Sequence, residues 1–214
     1  MDSLKKHKNI EILLKDYKKF RNEIKIRLIE FKKIKSDKYF YELCFCVCTP
    51  QSKAVNAFKV QQKLEEKDFL NNKNFNPQKI LEDKEHYIRF HKTKAQNLIA
   101  IKGQISEICK VLESNISAEN KRDWLVKNVK GIGMKEATHF LRNIGLNCEL
   151  AILDRHILRN LIFYGVIKVI PKNLNRQNYL EIEKKFLEFS KKIKISINRL
   201  DLLFWAQVTG YTLK

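Results

Sequence analysis

Only six glycines and three prolines interrupt 214 residues, so few positions force the chain to turn or stop a helix. No stretch approaches the roughly 18 consecutive apolar residues that a membrane-crossing helix needs. The first ten residues, MDSLKKHKNI, carry charge where a secretory signal would be apolar, which points to an intracellular address in the cytoplasm or nucleoid. Cysteine is sparse and oddly spaced: Cys44, Cys46 and Cys48 are separated by single residues, and only Cys109 and Cys148 follow. Zinc ligands are ordinarily separated by gaps of about two to four residues. An iron–sulfur cluster needs four cysteines close together, and none lies beyond Cys148. The cysteines therefore read as small buried hydrophobes. Acidic residues are also in deficit, 24 against 43 lysines and arginines, for a net charge of +19.

Such an excess exceeds what solubility requires and favours a polyanionic partner bound through counterion release. A lysine-rich composition by itself could also reflect solvated helix faces. With no basic amphipathic membrane segment, nucleic acid is the leading partner. Apolar residues make up 44% of the chain, enough for a real core, and most recur at three- and four-residue spacings. Helices are expected over about 9–34, 37–48, 50–66, 76–82, 92–113, 118–129, 134–144, 154–165, 176–194 and 197–210. Thr49-Pro50 reads as a helix N-cap followed by proline at the first helical position, and Gly145 as a C-terminal cap. LIFYGVIKVIPK, residues 161–172, is rich in β-branched side chains but has no evident partner strand, so it reads as a helix end and a loop. No repeat or low-complexity linker marks a domain boundary.

The most informative stretch is KNVKGIGMKEATHFLRNIG, residues 127–145. Gly131 and Gly133 permit a sharp reversal between a helix bearing Trp124, Leu125 and Val129 and one bearing Ala137, Phe140, Leu141 and Ile144. The product is a helix–hairpin–helix. Without side chains at the glycines, a phosphate can approach the N–H groups opening the second helix, where the helix dipole also favours an anion. A hairpin of this kind grips a nucleic-acid backbone without reading bases; the simpler alternative is an ordinary helix–turn–helix connection. Lys135 lies in the first turn of the second helix, off the stripe formed by Ala137, Leu141 and Ile144. Taken alone it is a solvated charge. Nineteen residues later, AILDRHILRN places Asp154 at the start of another helical pattern, where an N-cap is one of its roles.

Lys135 within GIGMKEA, followed at this interval by Asp154 in LDRH, resembles the helix–hairpin–helix superfamily of base-excision DNA glycosylases. Over roughly residues 39–160 the chain is most similar to the archaeal-type 8-oxoguanine DNA glycosylase/AP lyases, which lack an extra β-domain and end in lysine, as Lys214 does here. The resemblance implies an all-α, two-lobed glycosylase fold without an iron–sulfur cluster. One lobe would be continuous over 39–149, and the other would combine 1–38 with 150–214, the site lying between them.

It also implies roles for residues. Lys135 would attack C1′ of the damaged nucleotide, which an amine does only when neutral, a state favoured by desolvation and nearby positive charge. Expulsion of the base leaves a Schiff base, through which β-elimination breaks the strand. Asp154 would stabilise charge developing on the sugar and help deprotonate the amine. Gly131, Gly133 and His156 would contact phosphates. A base inside a duplex must be extruded before it can be cut. Gln51, in CTPQSKAVNAF, aligns with the amide residue that plugs the vacated space, and Phe90, in RFHKTKAQNL, with the wedge that enters the stack. Lys53, His91 and Lys92 are further backbone or opposite-strand contacts. Trp205 would stack on the flipped purine, and Lys214 would read the oxidised base by its ammonium or terminal carboxylate. Each of these residues also has a plain structural reading: core aromatic for Phe90 and Trp205, helix N-terminal polar residue for Gln51.

The expected enzyme is a monomer acting on double-stranded DNA containing 8-oxoguanine, with no cofactor beyond a monovalent cation at the hairpin. An endonuclease-III-like enzyme for oxidised pyrimidines shares the lysine–aspartate pair, but its C-terminal cysteine cluster has no counterpart here. A non-enzymatic helix–hairpin–helix module would explain the charge and the hairpin but not Asp154.

Overall fold

The computed structural model describes residues 2–147 and 149–212, with side chains from Lys8 onward. Its helices are α1 (Asp2–Lys32), α2 (Tyr39–Cys48), α3 (Ala54–Glu66), α4 (Gln78–Leu81), α5 (His91–Glu113), α6 (Ala118–Asn128), α7 (Met134–Asn143), α8 (Arg155–Phe163), α9 (Arg176–Ile193) and α10 (Ile197–Thr209). Two short 3-10 turns, Ser36–Lys38 and Lys84–His86, complete the regular structure, and no strand occurs among the described residues. The class is all-α. The chain divides into two compact units, Ile34–Leu146 and Met1–Lys33 with Asn147–Lys214.

In the first unit α2 is central because YFYELCFCVC is apolar on every face, and every residue from Phe40 to Cys48 is buried. It packs against α3, α5 and α7. Cys44, Cys46 and Cys48 are free, buried thiols. Burial pushes the Cys48 thiol up to about 12, so it behaves as an apolar side chain. The one acid on this helix, Glu42, is satisfied: its carboxylate accepts from Gln61 Nε2 at 2.9 Å and Asn143 Nδ2 at 3.3 Å. At the end of α7, Gly145 has φ +73, and the Leu146 and Gly145 amides donate to the carbonyls of Leu141 (2.8 Å) and Arg142 (3.0 Å). That is the paired C-terminal cap expected of this glycine.

Thr49-Pro50 does not start a helix. Thr49 instead closes α2, its hydroxyl donating back to the Cys46 carbonyl at 2.8 Å, and α3 begins only at Ala54. The reason is Gln51, whose φ of +56 no helix can accommodate.

In the second unit α10 packs against α1, α8 and α9. Tyr164, just after α8, stacks on Phe204 of α10 at 5.5 Å and on Phe189 of α9 at 6.2 Å. Segment 161–172 is a helix end and a loop: α8 stops at Phe163, Gly165 takes φ +67, and the Val166 amide donates to the Leu161 carbonyl at 2.7 Å. The apolar connector 150–153 runs buried and without helical bonds. Two side chains of α9 hold it. Glu183 accepts the Ala151 amide at 2.7 Å, and the Tyr179 hydroxyl donates to the Ala151 carbonyl at 2.5 Å while accepting the Leu153 amide at 3.2 Å. No described helix is long and apolar enough to cross a membrane.

Candidate nucleic-acid interface and catalytic residues

Between α6 and α7 the chain reverses over Val129–Gly133. The Val129 amide still belongs to α6, donating to Leu125 at 2.9 Å, and Ile132 turns back to the Val129 carbonyl at 3.3 Å. Gly131 sits at φ +84, and a Cβ there would collide with Asn97 of α5, meeting its Cγ at 2.9 Å. Glycine is thus demanded twice, by backbone angle and by the side chain packed against it. Gly133 is the N-cap of α7, with extended backbone, and its amide donates to Glu136 Oε2 at 3.2 Å. The remaining first-turn amides of α7 have no intrahelical acceptor, the arrangement that favours an anion at a helix N-terminus.

Lys135 is not a freely solvated lysine. Its side chain is 22% exposed, and Nζ lies 3.1 Å from Glu136 Oε1 and 3.5 Å from the Thr49 hydroxyl. Glu136 thereby joins two functions: one carboxylate oxygen holds the hairpin backbone and the other the lysine. Its position three residues after Gly133 is a capping pattern visible in the sequence, although its hold on Lys135 is not.

A second, deeper lysine stands close to the first. Lys94 on α5 is 6% exposed, and its Nζ donates to the carbonyls of Cys48 (2.9 Å) and Pro50 (2.7 Å) and to the Ser52 hydroxyl (3.4 Å). Burial lowers its ammonium to about 8, the Lys135 charge acts in the same direction, and Cys48 and Glu136 oppose it. Lys94 was not singled out from the sequence, where it is one basic residue in HKTKAQ. The turn that it grips carries Gln51 and Lys53, both exposed. Phe90, at the N-cap of α5, is 50% exposed with φ +61, and the Arg89 guanidinium covers its ring at 4.9 Å. The Arg89 amide donates to the Ser52 hydroxyl at 3.0 Å, so the corner bearing Phe90 and the turn bearing Gln51 share a fastening. His91 faces Glu82 (3.5 Å) and the Tyr87 ring, while Lys92 is exposed.

The other unit holds Asp154, His156 and Trp205. Asp154 caps α8, its Oδ1 accepting the Ile157 amide at 2.7 Å. His156 uses Nε2 on the Phe204 carbonyl at 2.7 Å, and Asn160 Nδ2 lies 3.3 Å from the same nitrogen. The same ring meets Trp205 edge-on at 6.5 Å. Trp205 is half-buried, and its indole N–H, though shielded from solvent, has no acceptor among the described residues. The chain after α10 is tied to α1: Glu23 Oε1 accepts from the Thr212 amide (2.5 Å) and hydroxyl (2.6 Å), and Arg27 donates to the Thr212 carbonyl at 3.3 Å. Lys214, expected to read the base, lies outside the described residues.

The family model for 8-oxoguanine DNA glycosylase matches residues 24–195. The chain belongs to the 8-oxoguanine DNA glycosylase family. The match spans the Gln51 turn, Phe90, the hairpin, Lys135 and Asp154. Among the relatives of this glycosylase, the 8-oxoguanine DNA glycosylase/AP lyase of Fusobacterium nucleatum is 36% identical over 99% of this chain and 100% of its own. The protein of that name from Methanocaldococcus jannaschii is 37% identical over 88% of this chain and 90% of its own. The crystal structure of the Methanocaldococcus jannaschii 8-oxoguanine DNA glycosylase superposes with a TM-score of 0.86 at 33% identity, covering 98% of this chain and 99% of that one. The same enzyme in complex with a 15mer DNA containing 8-oxoguanine gives a TM-score of 0.83 at 34% identity, over 95% of this chain and 100% of that one. The fold of this glycosylase is therefore the helix–hairpin–helix glycosylase fold.

Proposed function

We propose that the protein is a bifunctional base-excision repair enzyme that removes 8-oxoguanine from duplex DNA and cleaves the strand at the resulting site. The observation that carries the chemistry is Lys135, in the first turn of α7 directly after a glycine hairpin suited to a phosphate. A backbone phosphate on the hairpin amides would fix the sugar relative to the amine. Neutral Lys135 attacks C1′; the C1′–N9 bond breaks, its electron pair leaving with the base, which takes up a proton. Ring opening gives the protonated Schiff base. Loss of a C2′ proton then expels the 3′ phosphate, and water releases the lysine.

Asp154 has the roles of stabilising positive charge on the sugar and accepting the proton from the amine. Gln51 fills the vacated stack and Phe90 wedges it open, with Lys53 and His156 on flanking phosphates. Trp205 supplies a stacking face worth about 1–3 kcal/mol per base, and Lys214 reads the oxidised edge. The steps draw on no cofactor; a monovalent cation at the hairpin is the one ion that this reading admits. The enzyme would act as a monomer, inside the cell where its DNA is.

Borohydride should trap a covalent complex with duplex containing 8-oxoguanine. Lys135→Gln should abolish trapping while retaining binding by gel shift. Trapping that survives in this variant would remove Lys135 as nucleophile, and trapping only on oxidised pyrimidine would replace the substrate. Deletion of Lys214 should reduce excision of 8-oxoguanine relative to cleavage of an abasic site; an unchanged ratio would take the tail out of recognition.

A further inference from the structure

We propose that Lys94 is a positioning residue for base extrusion, its buried ammonium bracing the turn that carries Gln51 against the corner that carries Phe90. This rests on the reading of Gln51 and Phe90 as the plug and the wedge. Both are non-glycine residues in the left-handed backbone region, φ +56 and +61. Such a conformation is strained and persists only where the surroundings over-determine it. Lys94 does so for the first: an ammonium has three donors, and this one meets three oxygens of the same five-residue segment, the carbonyls of Cys48 and Pro50 and the Ser52 hydroxyl. Ser52 carries the constraint to the second, because its hydroxyl also accepts the Arg89 amide next to Phe90.

Burying the charge is unfavourable, as the lowering of Lys94 to about 8 shows. The groups facing it are Cys48 of α2 and Lys135 and Glu136 of α7. None of them is an ion-pair partner within 4 Å, so the direct partners of the ammonium are the three neutral oxygens, with Glu136 acting only at longer range. A methionine of similar length would fill the space without that cost. It would not hold the three oxygens.

The test compares two substrates in single turnover: duplex with 8-oxoguanine, which must be extruded, and the same duplex with a preformed abasic site, which has no base to unstack. In Lys94→Met the ratio of 8-oxoguanine excision to abasic-site cleavage should fall about tenfold or more, in line with the cost of displacing positioned groups by an ångström or so. Ser52→Ala, which leaves the ammonium in place, should lower the same ratio about threefold. Any effect exerted through Lys135 touches both substrates and cancels in the ratio. A 2-aminopurine beside the lesion should report slower or weaker unstacking in both variants. A folded Lys94→Met protein with an unchanged ratio overturns the proposal; if that variant does not fold, an unchanged ratio in Ser52→Ala does. Failure of the underlying reading is separate: Gln51→Ala and Phe90→Ala would then leave the same ratio unchanged in an enzyme that still excises 8-oxoguanine.

Discussion

The bond from the Ile157 amide to Asp154 Oδ1 needs an oxygen but not a charge. Asparagine caps helices about as well as aspartate, so the structural and chemical roles of this residue can be separated by one atom. Asp154→Asn should unfold within about 1 kcal/mol of the parent protein, the remaining loss being the favourable interaction of a carboxylate with the helix dipole. Excision and borohydride trapping should nevertheless fall by about 100-fold or more, the scale on which loss of a charge-stabilising group is felt. Activity within tenfold of the parent would leave Asp154 as a cap only. The connector before it gives the prediction its force: with Ala151 and Leu153 held by Glu183 and Tyr179, the backbone leading into Asp154 does not depend on its charge.

Among the elements, the α6–α7 hairpin combines the most constraints in the fewest residues. Gly131 combines φ +84 with a side chain already packed where its Cβ would go. Gly131→Ala should therefore destabilise the protein by about 1–3 kcal/mol, more than the few tenths typical of an exposed turn, as read by urea or thermal melts. If the hairpin holds the DNA backbone, as proposed, affinity for undamaged and damaged duplex should drop by the same factor. A loss confined to 8-oxoguanine duplex would show instead that the hairpin reads the base. Glu136 places Lys135 in this element's mechanics, since any shift of Gly133 is transmitted to that lysine through one carboxylate.

For the molecule as a whole, two features bear on substrate handling: the net charge of +19 and the fixed end of the described chain. The charge supplies salt-dependent, sequence-independent attraction to DNA. The chain end is pH-dependent. Hydrogen bonds from the Thr212 hydroxyl and amide hold the Glu23 carboxyl below its ordinary 4.5, with Arg27 adding to the effect. A carboxyl lowered on folding stabilises the folded form above its unfolded value and loses that contribution as pH falls through the folded one. The clasp should therefore be intact at neutral pH and open on acidification below about 4.5. The protection of the Thr212 amide, its exchange measured against the unstructured rate at the same pH, should fall there, and Glu23→Ala should show the low protection already at neutral pH. Exchange at Thr212 that is slow in Glu23→Ala would assign the hold to packing rather than to the carboxylate.

Much of this molecule was legible in one dimension because its signals are local. Three- and four-residue spacing marks the helices, Gly145 and Asp154 cap the elements on which they lie, and two glycines two residues apart announce the hairpin that precedes Lys135. The misreading at Thr49-Pro50 and the silence about Lys94 have one cause. Gln51 is held out of a helix by an ammonium donated from 44 and 46 residues further along the chain, to the carbonyls of Pro50 and Cys48. The hold of Tyr179 and Glu183 on the connector before Asp154 spans 26 to 32 residues in the same way. Local periodicity is a property of neighbours and survives without a fold. Whether one of 43 basic side chains is solvated or buried against three oxygens depends on which distant backbone groups packing delivers to it, and only the folded chain specifies that.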